Sequence, residues 1–181
     1  MTEAISNRTI VNSSPAGRAI AQPMEKSLVE LLYLHLTAER HASAQYFAMS
    51  IWFAERDLNG FSSFYQKESL SEHQHAVNFS NYLVSRGQTV VLHDLVAPKQ
   101  QWNSIEEVIA DSFQLEADVT SSIHQLYATA ERSSDTRTTV FLDPIVEAQT
   151  KSEDEFAHIL SRVQFAKSQP SALLIIDGEL A

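Results

Sequence analysis

Residues 88–103 read QTVVLHDLVAPKQQWN, and this stretch decides the topology because of its length and its neighbours. Long helical segments lie on both sides of it. Fully extended at ~3.3 Å per residue, the stretch reaches ~50 Å. A helix of about 27 residues is only ~40 Å long. The link can therefore climb the whole height of a helical pair. The other links, 58–59 and roughly 132–134, are short, so the helices they join are antiparallel neighbours. The chain reads as two helical hairpins joined by one long crossover, with Val90, Val91, Leu92 and Leu95 expected to pack the link onto the outside.

The helical segments themselves follow from pattern and punctuation. Only four glycines and five prolines occur, and no long stretch alternates as a half-buried strand would. A first helix is predicted over 24–57, entered through Pro23, with Leu28, Leu31, Leu32, Leu36, Phe47 and Phe53 as its apolar faces. A second covers 60–86 and ends at Gly87. A third covers 104–131, where Ser104 and Glu107 form a capping box. A fourth covers 135–167, with Pro144 predicting a kink or a late start. Pro170 breaks the chain before a short apolar piece, 172–180. The fold class is all-α: a four-helix bundle of residues 23–181, preceded by a mobile polar arm, 1–22.

Composition narrows the function classes. The 181 residues suit one domain and contain no cysteine, which excludes disulfides, thiolate zinc sites and cysteine nucleophiles. The N-terminal arm has no apolar core of signal-peptide length. The longest apolar run, 46–54, is too short for a membrane span and contains Ser50. The expected setting is soluble and cytoplasmic. A formal net charge of −10 argues against nucleic-acid partners and favours cationic ones.

The chemistry-bearing cluster is Glu72-His-Gln-His75 in the second helix. Glu72 and His75 share a face, while His73 is turned ~100° from Glu72. A lone Glu-x-x-His is common, but its position is informative. The four helix midpoints fall near residues 41, 73, 118 and 151, and Glu39, Glu72 with His75, Glu116 and Gln149 lie beside them. Their helical neighbours are mostly apolar, which places these groups in the core seams. Carboxylates gathered away from water repel one another and resist ionisation, and a divalent cation or two relieves both penalties. Carboxylates with imidazole and no thiolate suit iron or manganese, with zinc also compatible. The alternative for any single glutamate is an outward-facing residue paired with a lysine or arginine.

These pieces resemble the prokaryotic non-haem ferritins over essentially the span from Met24 to the C-terminus. The matching stretches are Ala38-Glu-Arg-His-Ala-Ser-Ala-Gln-Tyr46, Glu72-His-Gln-His75-Ala, Gln114-Leu-Glu116 and Phe141-Leu-Asp-Pro-Ile-Val-Glu-Ala-Gln149, at intervals of 33, 44 and 33 residues between Glu39, Glu72, Glu116 and Gln149. Residues 135–144 are similar to cyanobacterial ferritins in particular. The resemblance implies a ferroxidase centre with two irons per subunit: one held by Glu39, Glu72 and His75, the other by Glu72 and Glu116, with Glu72 bridging and Gln149 near the second. It implies Fe(II) and dioxygen as substrates and iron storage in a homo-oligomeric cage of 24 subunits. Tyr46 matches the family's tyrosine beside the centre, although a core tyrosine reads the same way. Glu68, one turn before Glu72, matches an accessory iron ligand of some members and equally fits an exposed helical glutamate. Residues 172–180 resemble the short fifth helix that lines ferritin channels.

Departures from the family limit what carries over. Bacterioferritins and di-iron oxygenases have a second Glu-x-x-His in the fourth helix, where this chain has Gln149 and Ser152. Glu155-Phe-Ala-His158 lies ~9 Å further along the helix and ~240° around it, and reads as surface. His73 stands where bacterioferritins carry a haem-binding methionine, so haem is not expected. Ser152 replaces a glutamate that serves a third iron site in some members; Asp143 and Glu147 do not share the face of Gln149. His35, one turn before Glu39, reads as a core or interface histidine. The rival functions are a ferritin-like di-iron oxygenase or peroxidase, and a non-catalytic metal-binding bundle.

Overall fold

A computed structural model describes residues 12–181. Five helices follow a two-stranded hairpin: β1 (Asn12–Ser13), β2 (Ala19–Ile20), α1 (Lys26–Ala54), α2 (Asn59–Ser85), α3 (Ile105–Arg132), α4 (Thr136–Ala166) and α5 (Pro170–Leu180). The helix ends have local causes. Glu25 caps α1 by accepting from the Leu28 N–H at 3.1 Å, Ser104 caps α3 through the Glu107 N–H, and Asp135 caps α4. The reciprocal half of the capping box differs from expectation: the Glu107 carboxylate takes the N–H of Asn103, not that of Ser104. α4 continues as one helix through Pro144, which lines a cavity beside α2 and forgoes only the bond its missing N–H would make to the Val140 carbonyl.

α1 packs along α2 and α3 along α4, and α1 also packs on α3. α2 and α4 meet through side chains, Tyr82 stacking on Phe141 at 3.9 Å, and the cavity, of about 620 Å³, opens beside this contact. The apolar core is split in two. One cluster holds Leu28, Leu32, Leu36, Phe79, Leu83, Leu126 and Leu142; the other holds Met49, Phe53, Phe61, Tyr65, Ile109, Phe156 and Ile176. Burying such side chains stabilises the fold by ~1.5–3 kcal/mol each, which makes the polar layer between the clusters supportable. An Arg86–Asp135 pair, bidentate at 2.9 and 2.7 Å, ties the end of α2 to the start of α4.

The crossover is held differently from the apolar packing predicted for it. Val90 and Leu95 are half-buried, but Val91 and Leu92 are exposed. Polar ties do the anchoring. Gln45 exchanges two hydrogen bonds with the Lys99 backbone, Tyr33 donates to the Thr89 carbonyl, Arg40 donates to the His93 carbonyl, and Trp102 inserts into the core. Phe47, expected on an apolar face, is exposed on the outside of α1.

The arm predicted over 1–22 lies outside the described residues up to position 11. From residue 12 it carries the hairpin, whose turn uses Gly17 at φ 73° and rests on Gly87. A Cβ on Gly87 would stand 2.5 Å from Ser14 Cβ, so the close approach requires glycine there. α5 docks on the start of α2 by a similar device. The Phe61 N–H donates to Asp177, and the Asp177 carbonyl occupies the space a Gly60 side chain would need.

Candidate metal centre

Four helices each contribute to the polar layer. Glu39 and Tyr46 come from α1, Glu72 and His75 from α2, Glu116 from α3 and Gln149 from α4; all are buried except His75, whose side chain is 38% exposed. On the α1/α2 side, one ligand atom each from Glu39, Glu72 and His75 falls within 4.8 Å of the others. His75 Nδ1 lies 3.0 Å from Glu72 Oε2 and 3.8 Å from Glu39 Oε2. Glu39 Oε2 is buried and has no hydrogen-bond partner. A buried carboxylate oxygen in that condition is costly unless something positive meets it.

Electrostatics splits the trio. Burial disfavours the Glu39 carboxylate, but the nearby His35, His75 and Glu72 side chains outweigh it and hold the group below the usual carboxylate range. Burial pushes Glu72 up, His75 opposes the rise, and Glu39 adds to it. Glu39 and Glu72 together raise His75 to about 10. With Glu39 ionised, the trio holds its protons on His75 and Glu72, and a cation bound there would displace them.

On the α3/α4 side the groups face one another. Tyr46 donates its hydroxyl proton to Glu116 Oε1. Gln149 Nε2 donates to Glu116 Oε2 at 2.8 Å and to the Glu116 carbonyl at 3.1 Å. Burial raises the Glu116 carboxyl, against the pull of those two donors. Burial and Glu116 drive the Tyr46 hydroxyl well above its ordinary range, so it stays protonated and donates. Glu116 belongs to the same layer but not to the trio.

The match to known proteins decides the family. Residues 29–166 fit the ferritin-like domain, most of the chain. The chain is a ferritin. It is 28% identical over 157 residues to a probable bacterial non-heme ferritin-like protein of Haemophilus influenzae, covering 87% of this chain and 95% of that one. It is 34% identical over 132 residues to the ferritin-1 heavy chain of Schistosoma mansoni, covering 71% and 76%. Among solved structures it resembles the open pore ferritin of the hyperthermophilic archaeon Archaeoglobus fulgidus, with a TM-score of 0.84 at 27% identity, covering 87% and 96%. The bacterial relatives place it with the prokaryotic non-haem ferritins. Ferritins bind iron, and oxygen donors with one imidazole suit that ion.

In this ferritin the remaining sequence candidates separate cleanly. Glu68 is half-buried, not a plain surface acid, and burial with the charges of Glu155 and Glu116 pushes it to about 7. Asp143 accepts from Tyr127 and Glu147 pairs with Lys151, both away from the layer. His73, Glu155 and His158 are exposed. His35 is the residue that sequence reasoning undervalued. Its ring is fully buried, with Nε2 2.8 Å from Glu39 Oε1. The signal was its place one helical turn before Glu39, which aligns the two side chains. No helix among the described residues is long and apolar enough to cross a membrane.

Proposed function

We propose that this ferritin is a ferroxidase, oxidising Fe(II) with dioxygen at a two-iron centre and storing the ferric product in a homo-oligomeric cage of 24 subunits in the cytoplasm. The observation that carries the reading is the trio of Glu39, Glu72 and His75 with its orphaned carboxylate oxygen, adjoining Glu116 and Gln149 in one buried layer. Glu39, Glu72 and His75 hold the first Fe(II), with His75 and Glu72 giving up their protons to do so. Glu72, between the two sides, bridges to a second Fe(II) at Glu116, with Gln149 alongside. The two ferrous ions supply two electrons, which take one dioxygen to the level of peroxide with uptake of two protons. Tyr46 positions Glu116 through its hydroxyl, and Glu68 offers a further carboxylate as iron passes on.

A di-iron oxygenase fits less well, because the α4 side presents an amide already committed to Glu116 where an oxygenase needs a second histidine and carboxylate. Aerobic Fe(II) titration separates the readings. A ferritin oxidises many irons per chain and keeps them in solution, an oxygenase about two, and an inert bundle none. Size-exclusion chromatography with light scattering checks the cage; a monomer that retains no iron overturns the storage reading.

A further inference from the structure

We infer that His35 is a positioning residue for the iron ligand Glu39, fixing which of its two oxygens is offered to metal. This deepens the ferroxidase reading and rests on it. The His35 ring is fully buried in the seam where α1, α2 and α3 meet: it belongs to α1, packs on Phe79 of α2 with centroids 4.4 Å apart, and reaches Ser122 of α3 through Nδ1 at 2.9 Å. Its other nitrogen, Nε2, lies 2.8 Å from Glu39 Oε1.

Donor and acceptor accounting assigns the tautomer. An ionised carboxylate only accepts, so the proton on the side facing Glu39 belongs to Nε2. Nδ1 is then the acceptor, and the Ser122 hydroxyl is the donor. Ser122 thus holds His35 from α3 with Nε2 turned to the ligand at 2.8 Å, which leaves Glu39 with two unlike oxygens. Oε1 faces His35, whereas Oε2 is buried, unpartnered and 3.8 Å from His75 Nδ1. Oε2 is the oxygen left for a cation.

His35 itself is outside the ligand set, because its nitrogens do not join the group in which Glu39, Glu72 and His75 come within 4.8 Å of one another. His35 Nε2, although 2.8 Å from Oε1, is buried without a hydrogen-bond partner. A small rotation of the carboxylate onto a bound ion would bring the two into line. Outer partners of this kind orient metal ligands, and their loss typically weakens metal binding by roughly 10- to 100-fold.

The test uses Co(II), read by calorimetry and by its visible ligand-field spectrum, on the full-length oligomer. Wild type should bind Co(II) with a spectrum that Glu72→Ala abolishes; if it does not, the metal-centre reading itself fails. With that in hand, His35→Leu should lower first-site affinity by roughly 10- to 100-fold and change the band positions, as Glu39 swings free or turns both oxygens to the metal. His35→Gln, which can donate one N–H toward Glu39 and accept from Ser122, should recover most of the affinity and the wild-type bands. Ser122→Ala keeps the ring in place, tests the same arrangement if His35→Leu does not assemble, and should shift the bands in the same direction by less. Wild-type affinity and an unchanged spectrum in His35→Leu, or in Ser122→Ala where that variant stands in, would overturn the proposal.

Discussion

On the α1/α2 side of the polar layer, Glu39, Glu72 and His75 converge with one carboxylate oxygen unpartnered and one imidazole edge open to solvent. On the α3/α4 side, both oxygens of Glu116 are already taken by Tyr46 and Gln149. The first side releases the protons held by His75 and Glu72 to receive a cation. The second must loosen hydrogen bonds to a charged group, each of which contributes ~1.5–3 kcal/mol. The two ions of the proposed centre should therefore bind unequally, the first through the trio and the second with the rearrangement of Glu116.

Glu72 is the residue both sides share, and its removal should have the largest effect. Glu72→Ala should lower the initial rate of Fe(II) oxidation by more than the roughly 100-fold seen when only outer partners of a metal site are lost. Stopped-flow absorbance with Fe(II) and dioxygen measures it, and a variant that keeps a tenth of the rate would remove Glu72 from the centre. Gln149→Glu acts on the α3/α4 side alone. It sets a second carboxylate against Glu116 and deletes the donor, so the metal-free protein should lose about 1–3 kcal/mol in denaturant unfolding. The same change should tighten the weaker Co(II) step about tenfold, since roughly 1.4 kcal/mol of gained attraction is enough for that. A second step that stays as weak as in wild type would mean that Gln149 does not face the second ion.

The bundle was readable because its signals are local and repeated: helical spacing of leucines, a cap at Ser104, a stop at Gly87, and one link long enough to cross. The α1/α2 trio was readable for the same reason, since Glu72 and His75 share a helix face and Glu39 sits at the middle of its neighbour. The far side was less so. Nothing in the spacing says that the Gln149 amide donates to Glu116 instead of standing free beside it, because that depends on how α3 and α4 approach. His35 looked like core, and it is core; that its ring also spans Ser122 and Glu39 depends on the rotation of α3, which a single chain pattern does not encode. Val91 and Leu92 misled in the opposite direction. An apolar run in a link suggests packing, yet the polar exchange between Gln45 and the Lys99 backbone fixes where the link lies, and the two side chains are left outside.

The smallest effect concerns Glu68, whose placement tells whether the α3/α4 side has a third acid. Its folded-state value of about 7 lies above the ordinary 4.5, raised by burial first and then by Glu155 and Glu116. Between those two values the folded chain keeps a proton that the unfolded chain has released, so the contribution of this group is full below pH 4.5 and is lost as pH rises through 7. Glu68→Gln removes the dependence. Relative to wild type, the metal-free variant should be unchanged near pH 4.5 and gain stability up to about pH 8, then level off. The group is half-exposed, so solvent screening reduces the gain to about 1 kcal/mol, well under what the full shift would give. Urea unfolding at pH 4.5, 6 and 8 measures it. A difference that does not vary with pH would put Glu68 in open water, and the α3/α4 side would then have only Glu116 to offer a second iron.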